Sequence, residues 1–553
     1  MVDLLEPREN IRVAVPPRIA PPVASRPHVR QRVPLPPTVP PRPSTSQILP
    51  EPPTDTEKYS YAYRNLSLLI WTSLLSFTML MVSQVHFIQL SWWFIILGPF
   101  LFFTFAYFLI SLRINMTSRN FDLARHMTLV ARWAPATYPS VDVLLPICGE
   151  AIAVLQNTWS HVDRLARHYR GEVEVCVLDD GNSTDARHLA EQFGFRYMVR
   201  PNRGWFKKAG NLRHGYHSTT GEFLVIFDAD FAPRDDFLTE LLPHMDHDPT
   251  LGIVQSPQYF RVDARQTWME RGAGAVQELF YRVVQVSRDQ LNAAICVGSC
   301  AVYRRKALDA IGGTALIEHS EDVHTGFDLA QAGWGLRYVP IPLAAGLCPE
   351  DPDSFFFQQY RWCTGSMSLM TSRKFWETRL RPSTRLCYIS GFCYYLHTAV
   401  FTFVAPLIPI ILLLALPGQV HLRNYLWIVP STVFNLIVFP LWNKIRYGPS
   451  ALMAKSLYGW AHAFAVWDIV RGKRRGWQAT GGGGKKDAGR LWRALAIWGG
   501  LTSVVWIGGA AVRMVEFDPA NFLFLLFAGC FYAGINVMAL LSRRQASGAQ
   551  APS

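Results

Sequence analysis

The sequence predicts an α/β domain set between membrane-spanning helices, two before it and four after it. Three observations carry this expectation. Charged residues make up 17% of the 553-residue chain, against about 25% in ordinary soluble domains, and uncharged stretches long enough to span a bilayer recur at both ends. Between residues 139 and 370, short apolar runs alternate with amphipathic stretches, the pattern of a largely parallel sheet with helical crossovers. Two of those runs end in paired carboxylates, Asp179-Asp180 and Asp228-Ala229-Asp230, and ligands of open α/β sheets sit outside the carboxyl ends of the strands.

Residues 1–57 hold roughly fifteen prolines, scattered arginines and almost no aromatics, so they cannot bury enough apolar surface to offset the entropy of ordering. We expect a disordered basic tail there, with a proline-rich ligand for a partner as the alternative. The apolar core and cleavage site of a signal peptide are absent. Asn65 to Leu112 contain no Asp, Glu, Lys or Arg, which predicts two spans, 66–85 and 92–112, within a segment 58–113. Trp92 and Trp93 stand where an interfacial belt would lie, and Arg113, Arg119 and Arg125 put the following end in the cytoplasm.

Beyond the domain, residues 386–416, 425–442, 494–512 and 522–541 supply four more predicted spans within 371–545, leaving a short tail at 546–553. Lys444, Arg446, Arg471, Lys473, Arg474, Arg475, Lys485, Lys486, Arg543 and Arg544 fall on the side of the α/β domain, and only Arg423 and Arg513 on the other. This asymmetry predicts a multi-pass protein of the inner or plasma membrane with the domain and both termini cytosolic. Residues 451–470 read as an interfacial amphipathic helix, or as a helix buried against the domain.

The formal charge of +13 fits lipid contact better than nucleic acid, for which no signature is present. Nine cysteines without metal-ligand spacing read as reduced thiols. No internal repeat is evident, which argues against a transporter built from inverted halves.

Five stretches of the domain carry chemistry. Asp228 and Asp230, spaced i, i+2 after the apolar run 223–227, repel each other unless a cation or donors neutralise them. A divalent metal is one reading and a polar strand cap the other. Asp179-Asp180-Gly181 repeats the pattern. Lys207-Lys208-Ala209-Gly210-Asn211 adds cations before a helical stretch whose N-terminus suits an anion, or is a solvated lysine pair. Asp322, in Ser320-Glu321-Asp322, is either a base within reach of a hydroxyl or a surface helix cap. In Gln358-Gln359-Tyr360-Arg361-Trp362 a guanidinium that forks onto a diphosphate adjoins an indole on which a sugar ring stacks; an aromatic motif at a domain–membrane boundary is the alternative.

In order and spacing these motifs resemble the processive family-2 glycosyltransferases, which include cellulose, hyaluronan, chitin and curdlan-type glucan synthases. The family pattern runs Asp, Asp-x-Asp, Thr-Glu-Asp, Gln-x-x-Arg-Trp, and the resemblance covers roughly residues 60–545. Lys208-Ala-Gly-Asn211 and Val297-Gly298-Ser299-Cys300 also look like the family's diphosphate-lysine and acceptor-loop motifs. The resemblance implies a GT-A fold over residues 139–370, a UDP-sugar donor, a growing polysaccharide acceptor and Mg2+ or Mn2+. It implies that Asp179, with Asp180 beside it, meets the nucleotide, that Asp228 and Asp230 hold the metal–diphosphate, that Lys208 holds the diphosphate and that Asp322 is the base. Gln358, Arg361 and Trp362 would close over donor and acceptor, with Glu150, Ser299 and Glu321 completing the substrate site.

The chain also departs from that pattern. Where the family's first strand often ends Pro-Thr-Tyr-Asn-Glu, this one reads Pro146-Ile147-Cys148-Gly149-Glu150, without the aromatic that would stack on uracil. Ser320 replaces the usual Thr. A gating-type loop at 472–486 keeps only Trp477 and Thr480, followed by four glycines. No cyclic di-GMP-binding domain is expected in this chain, and export or accessory subunits remain open. The expected activity is polymerisation of UDP-glucose into a β-glucan with extrusion across the membrane. The alternatives are UDP-N-acetylglucosamine or GDP-mannose as donor, or a non-catalytic scaffold or transport subunit of a polysaccharide complex.

Overall fold

The structure, a computed structural model, describes residues 48–62, 66–90, 92–115, 121–263, 265–443, 449–473 and 489–548. Its centre is a mixed sheet built on two fully buried strands. The strands are β1 (Val141–Ile147), β2 (Val173–Asp179), β3 (Arg196–Met198), β4 (Phe223–Ile226), β5 (Phe231–Pro233), β6 (Leu251–Gln255), β7 (Gln258–Tyr259), β8 (Ala301–Arg304), β9 (Gly335–Tyr338) and β10 (Ala344–Gly346). Among the described residues seven of them form one sheet in the order β3-β2-β1-β4-β8-β6-β9, and β5-β10-β7 form a small second sheet. All seven residues of β1 and all four of β4 are buried, as strands covered on both faces must be. The sheet is less parallel than the sequence suggests: β8 runs antiparallel to both neighbours, pairing Val225 with Val302 and Val254 with Val302. Strand β1 lies between β2 and β4, both parallel to it, so the order reverses at β1/β4 and opens a crevice at their carboxyl ends.

The helices that position the site are α1 (Leu66–Leu90), α2 (Gly98–Asn115), α3 (Leu123–Arg132), α4 (Ile152–His168), α5 (Thr184–Phe193), α6 (Lys207–Ser218), α7 (Phe237–His247), α8 (Trp268–Leu279), α9 (Glu321–Gln331), α10 (Pro352–Met370), α11 (Pro382–Ala415), α12 (Pro449–Val470), α13 (Gly489–Glu516) and α14 (Leu523–Gly548). Val143, Leu145 and Val225 share a core with Leu155, Trp159 and Val162, which recur on one face of α4 at helical spacing. The opposite sheet face, Leu144, Leu178 and Ile226, packs on Leu212 and Tyr216 of α6. Gly215 permits that approach, because a Cβ there would stand 2.7 Å from Leu178 Cδ1. Ser183 caps α5, its Oγ accepting from Ala186 N at 3.2 Å.

The expected disordered tail reaches residue 57, but its last ten residues are held against the α/β unit. Residues 1–47 lie outside the described residues. Asn157 Nδ2 donates to Pro50 O at 2.8 Å, and Arg261 Nη2 pairs with Glu57 Oε2 at 2.7 Å. Lys58, 3% exposed, reaches Asp236 Oδ2 at 2.8 Å and Glu240 Oε1 at 2.6 Å. His126 of α3 meets the other oxygen of Glu240 at 2.8 Å. Composition described the segment's own poverty in apolar residues; it did not reveal charges waiting on α7.

Five helices are long and apolar enough to cross a membrane among the described residues: Ser67–Gln89, Ile95–Asn115, Pro382–Ala415, Gly489–Glu516 and Leu523–Ser542. Two precede the α/β unit and three follow it. The fourth stretch expected after it is shorter, Val429–Trp442, and is broken by a π turn at Phe434–Val438. Helix α11 by contrast runs unbroken through Pro406 and Pro409. Helix α12 packs on α8, α10 and α11. Helix α10 is pinned at its start and near its middle: Asp351 Oδ1 caps Ser354 N at 2.9 Å, Trp492 Nε1 donates to Asp353 Oδ1 at 2.6 Å, and Tyr360 OH donates to Asp468 Oδ2 at 2.9 Å.

Replacing Lys58 by Ala is expected to destabilise the α/β unit by about 3 kcal/mol, because it leaves two buried carboxylates short of a cation. The fall in the thermal midpoint of the purified chain measures it. A midpoint unchanged from wild type would show that residues 48–62 are not bound in this way.

Candidate active site

Three chain segments deliver carboxylates to the crevice at β1/β4. After β1, Gly149 takes a φ of +88°, turning the chain so that Cys148 N donates to Glu150 Oε2 at 2.6 Å. After β4, Asp228 N donates to Ser299 Oγ at 3.0 Å, which fixes the start of Asp228-Ala229-Asp230 against the β8 side of the sheet. At the start of α9 come Glu321 and Asp322. A Cβ on Gly298 would lie 2.9 Å from Asp322 Cβ, so the turn Val297-Gly298-Ser299 touches Asp322 only because position 298 is glycine, with φ +73°.

The countercharge is Lys208, at the N-terminus of α6. Its Nζ forms a direct ion pair with Asp228 Oδ1 and lies 3.6 Å from Glu321 Oε1. Burial opposes its charge, but Asp228 and Glu321 outweigh burial and hold the ammonium above its ordinary range. One ammonium does not balance the acids. Burial, Asp228 and Glu150 push Asp230 up to about 7, and burial with neighbouring Glu321 drives Asp322 well above the usual carboxylate range. Asp228 and Asp230 offer hard oxygen donors in a field short of positive charge, which fits a divalent cation. Among the described residues no group of three or more His, Cys, Asp and Glu has metal-holding geometry.

The remaining wall is α10. Gln358, Arg361, Trp362 and Gly365 recur at i, i+3, i+4 and i+7 and so share one face, while Phe356, Tyr360, Cys363 and Met367 bury the other. A Cβ on Gly365 would overlap Ser320 Oγ, so α10 sits directly on Ser320-Glu321-Asp322. Burial lowers the proton affinity of Arg361, and Glu321 and Asp228 offset that only in part. Gln358 Oε1 is buried without a hydrogen-bond donor among the described residues.

One cavity of about 2100 Å3 joins these groups, lined by Glu150, Asp180, Lys208, Asp228, Asp230, Glu321, Asp322, Gln358, Arg361 and Trp362. It continues between the apolar helices, past Tyr107 of α2, His397 of α11 and Tyr458 of α12.

Not every expected residue faces it. Asp179 lies behind the lining: fully buried, it accepts from Gly181 N at 2.6 Å, Ser183 N at 2.8 Å and Tyr197 OH at 2.6 Å, so its oxygens organise the β2–α5 turn. Ser299 is also fully buried and meets the backbone of Asp228 rather than the cavity. Trp477 and Thr480 lie outside the described residues, as does most of the gating-type loop.

The sequence reading missed Arg200. Its guanidinium, 1% exposed, takes Asp180 in a fork, 2.6 Å on each side, and donates to the carbonyls of Trp205 at 2.7 Å and Lys207 at 3.0 Å. It thereby shapes the loop in which Phe206 and Lys207 both take a φ of +48°, the loop that presents Lys208. The only local signal was Arg-Pro before an Asn/Gly turn. Nothing in that spacing names Asp180, 20 residues away, as its partner.

Residues 142–312 match the family described as Glycosyl transferase family 2. Over 267 residues the chain is 33% identical to the cellulose synthase catalytic subunit [UDP-forming] of Pseudomonas fluorescens, a stretch covering 48% of this chain and 36% of that protein. Over 262 residues it is 34% identical to the cellulose synthase 1 catalytic subunit [UDP-forming] of Komagataeibacter xylinus, covering 46% and 35%. The chain thus spans about a third of the length of the curated relatives it matches. Among solved structures, the mannosyltransferase PcManGT from Pyrobaculum calidifontis, in complex with GDP-Man and Mn2+, is 17% identical with a TM-score of 0.41, over 67% of this chain and 99% of that one. With Asp228-Ala229-Asp230 at the carboxyl end of the central strand and α10 closing the crevice, the domain is a GT-A glycosyltransferase domain. Residues 142–312 thus carry a domain matching glycosyl transferase family 2, within a chain similar over about half its length to cellulose synthase catalytic subunits.

Proposed function

We propose that the chain is a processive, inverting glycosyltransferase that polymerises UDP-glucose into a β-linked glucan and passes it across the membrane from a cytosolic active site. The observation that carries this reading is the continuity of one cavity from the carboxylates to the interior of the membrane helices. A transferase that releases a small product has no need of such a passage. The UDP-forming activity named for the Pseudomonas and Komagataeibacter relatives supports the donor and the polymer.

Each residue then has a task set by its position. Asp322, whose carboxyl is held above the usual range, takes the proton from an acceptor hydroxyl as that oxygen attacks the anomeric carbon of the donor. The bond from that carbon to the diphosphate oxygen breaks, UDP leaves, and the α-linked donor becomes a β-linked unit. Lys208 offsets the charge that develops on the leaving diphosphate. Asp228 and Asp230 would hold a divalent cation, Mg2+ or Mn2+, which when bound neutralises the diphosphate as a Lewis acid. Arg361 faces the same side from α10, and Trp362 lies where the acceptor enters the membrane half of the cavity, offering its indole to a sugar ring. Glu150, Asp180 and Glu321 line the donor side; Asp179 and Ser299 act from behind by shaping the turns.

The decisive experiment offers the reconstituted chain labelled UDP-glucose, UDP-N-acetylglucosamine and GDP-mannose with Mg2+ or Mn2+, followed by digestion of the product with linkage-specific glycanases. A glucanase-sensitive polymer from UDP-glucose is expected. No polymer from any donor would refute the proposal.

Asp322→Asn is expected to lower transfer by about a thousandfold or more, with UDP affinity held within about twofold. Retained synthesis would remove Asp322 as the base. Trp362→Ala is expected to lower polymer formation up to about tenfold more than donor hydrolysis, and equal losses would argue against acceptor stacking. Because Asp230 holds its proton up to about 7, a cation must displace that proton. Mn2+ affinity in the presence of UDP should therefore rise as pH rises through about 7 and flatten in Asp230→Asn. Calorimetric titration across that range checks it.

A further inference from the structure

The end of the crevice away from the membrane holds a hydrogen-bond acceptor that the described residues leave unanswered. Asn211 of α6 is 2% exposed and lines the cavity. Its Nδ2 donates to Leu178 O at 2.7 Å, which fixes the orientation of the amide, and its Oδ1 has no donor among the described residues. A buried polar atom without a partner is costly, so one beside a cavity calls for a ligand that supplies the missing group. The other acceptors at this end are engaged. Asp179 receives three donors, Arg200 forks onto both oxygens of Asp180, and Glu150 Oε2 receives Cys148 N.

A donor lines the same slot. Lys207, the first residue of α6, is half-buried and forms no ion pair among the described residues, although acids surround it. Lys208 is the lysine that takes Asp228. Burial, with Glu150, Asp180 and Asp179, raises the proton affinity of the Cys148 thiol, and Lys207 opposes them, so Lys207 faces the turn after β1. The backbone there is bare. A Cβ on Gly149 would meet nothing within 4 Å, and one on Gly204 would meet only Lys207 Nζ, at 3.9 Å. These two glycines leave room for a flat ring.

A diphosphate held by Lys208, Asp228 and Asp230 can extend two ways. The acceptor takes the membrane side, so the nucleoside lies toward Cys148, Gly204, Lys207 and Asn211. A neutral acceptor and a cationic donor in one slot complement a base edge on which a ring N–H adjoins a carbonyl. Uracil has that edge at N3 and the carbonyls beside it. Cytosine has a lone pair at N3 and an amino group at C4, and so opposes both groups.

We propose that Asn211 and Lys207 select the base of the donor: Asn211 Oδ1 accepts the ring N–H of uracil, and Lys207 Nζ donates to a carbonyl beside it. This rests on the reading of the donor as a UDP-sugar. It gives both residues a binding role apart from the reacting atoms.

The test measures binding without sugar transfer. The full chain in nanodiscs of zwitterionic lipid is titrated with UDP, CDP and 3-methyl-UDP in the presence of Mn2+. UDP is expected to bind about tenfold or more tightly than either analogue. Lys207→Ala should cut the preference over CDP at least about threefold and keep the preference over 3-methyl-UDP. Asn211→Ala should bring UDP and 3-methyl-UDP to within about twofold of each other. Equal binding of UDP and 3-methyl-UDP by the wild-type chain overturns the proposal without recourse to any variant. A preference for UDP over CDP that is unchanged in Lys207→Ala removes Lys207 from it. Alkylation of Cys148, followed by mass spectrometry, locates the base independently. UDP should slow labelling and pyrophosphate should not; protection by pyrophosphate equal to that by UDP, or none by UDP, puts the base elsewhere and overturns the proposal. Polymer made from UDP-glucose by a chain that binds UDP and 3-methyl-UDP equally would sink this inference and leave the proposed function standing, whereas failure to bind UDP at all would sink both.

Discussion

An excess of buried acid over buried base organises this protein's site. Glu150, Asp228, Asp230, Glu321 and Asp322 arrive from three strand and helix ends, while the ammonium that meets them directly is that of Lys208, paired with Asp228 and 3.6 Å from Glu321. Like charges brought together in a poorly solvated crevice hold their protons or attract cations. Asp230, pushed up to about 7, records that pressure. The same imbalance raises the proton affinity of both Asp230 and Asp322. The arrangement stands because the rest of the domain is conventional: two buried parallel strands, β1 and β4, set the carboxyl ends side by side, and apolar layers from α4 and α6 hold them there.

Helix α10 couples this chemistry to the membrane helices. One face presents Gln358, Arg361 and Trp362 to the cavity and rests, through Gly365, on Ser320-Glu321-Asp322. The other face is buried, and hydrogen bonds from Tyr360 to Asp468 and from Trp492 to Asp353 tie the helix to the segments that follow. A shift of the membrane helices therefore displaces the wall of the active site, and with it the residues beside Asp322. The polarity of the cavity changes along its length, from acidic at the strand ends to cationic beside Arg288 and Lys455.

Much of this was legible in the chain because it is encoded locally. The run Phe223 to Phe227 ending in Asp228-Ala229-Asp230 announced a buried strand with acids at its carboxyl end, since five consecutive apolar residues need cover on both faces. The i, i+3, i+4 spacing of Gln358, Arg361 and Trp362 needs only a helix to place them together. Where long-range partners decide, reading failed. Asp179 looked as exposed to ligand as Asp180, but Tyr197 and two backbone amides take its oxygens. Ser299 seemed to face an acceptor and instead holds the backbone of Asp228. Residues 48–57 share the composition of a disordered tail, yet Arg234 and Arg261 bind them.

By itself the sequence determined the alternation of membrane helices and α/β domain, the identity of the chemical groups and the order in which strands deliver them, because hydrophobic period and motif spacing are properties of contiguous residues. Only the tertiary structure decided which acids face the cavity, that Arg200 shapes the loop carrying Lys208, that β8 runs antiparallel between β4 and β6, and that Arg288 stands buried with its Nη1 unpartnered among the described residues. Those outcomes depend on pairings between residues tens or hundreds of positions apart. Spacing along the chain does not reveal such pairings; they exist only once the sheet has brought its edges and the membrane helices together.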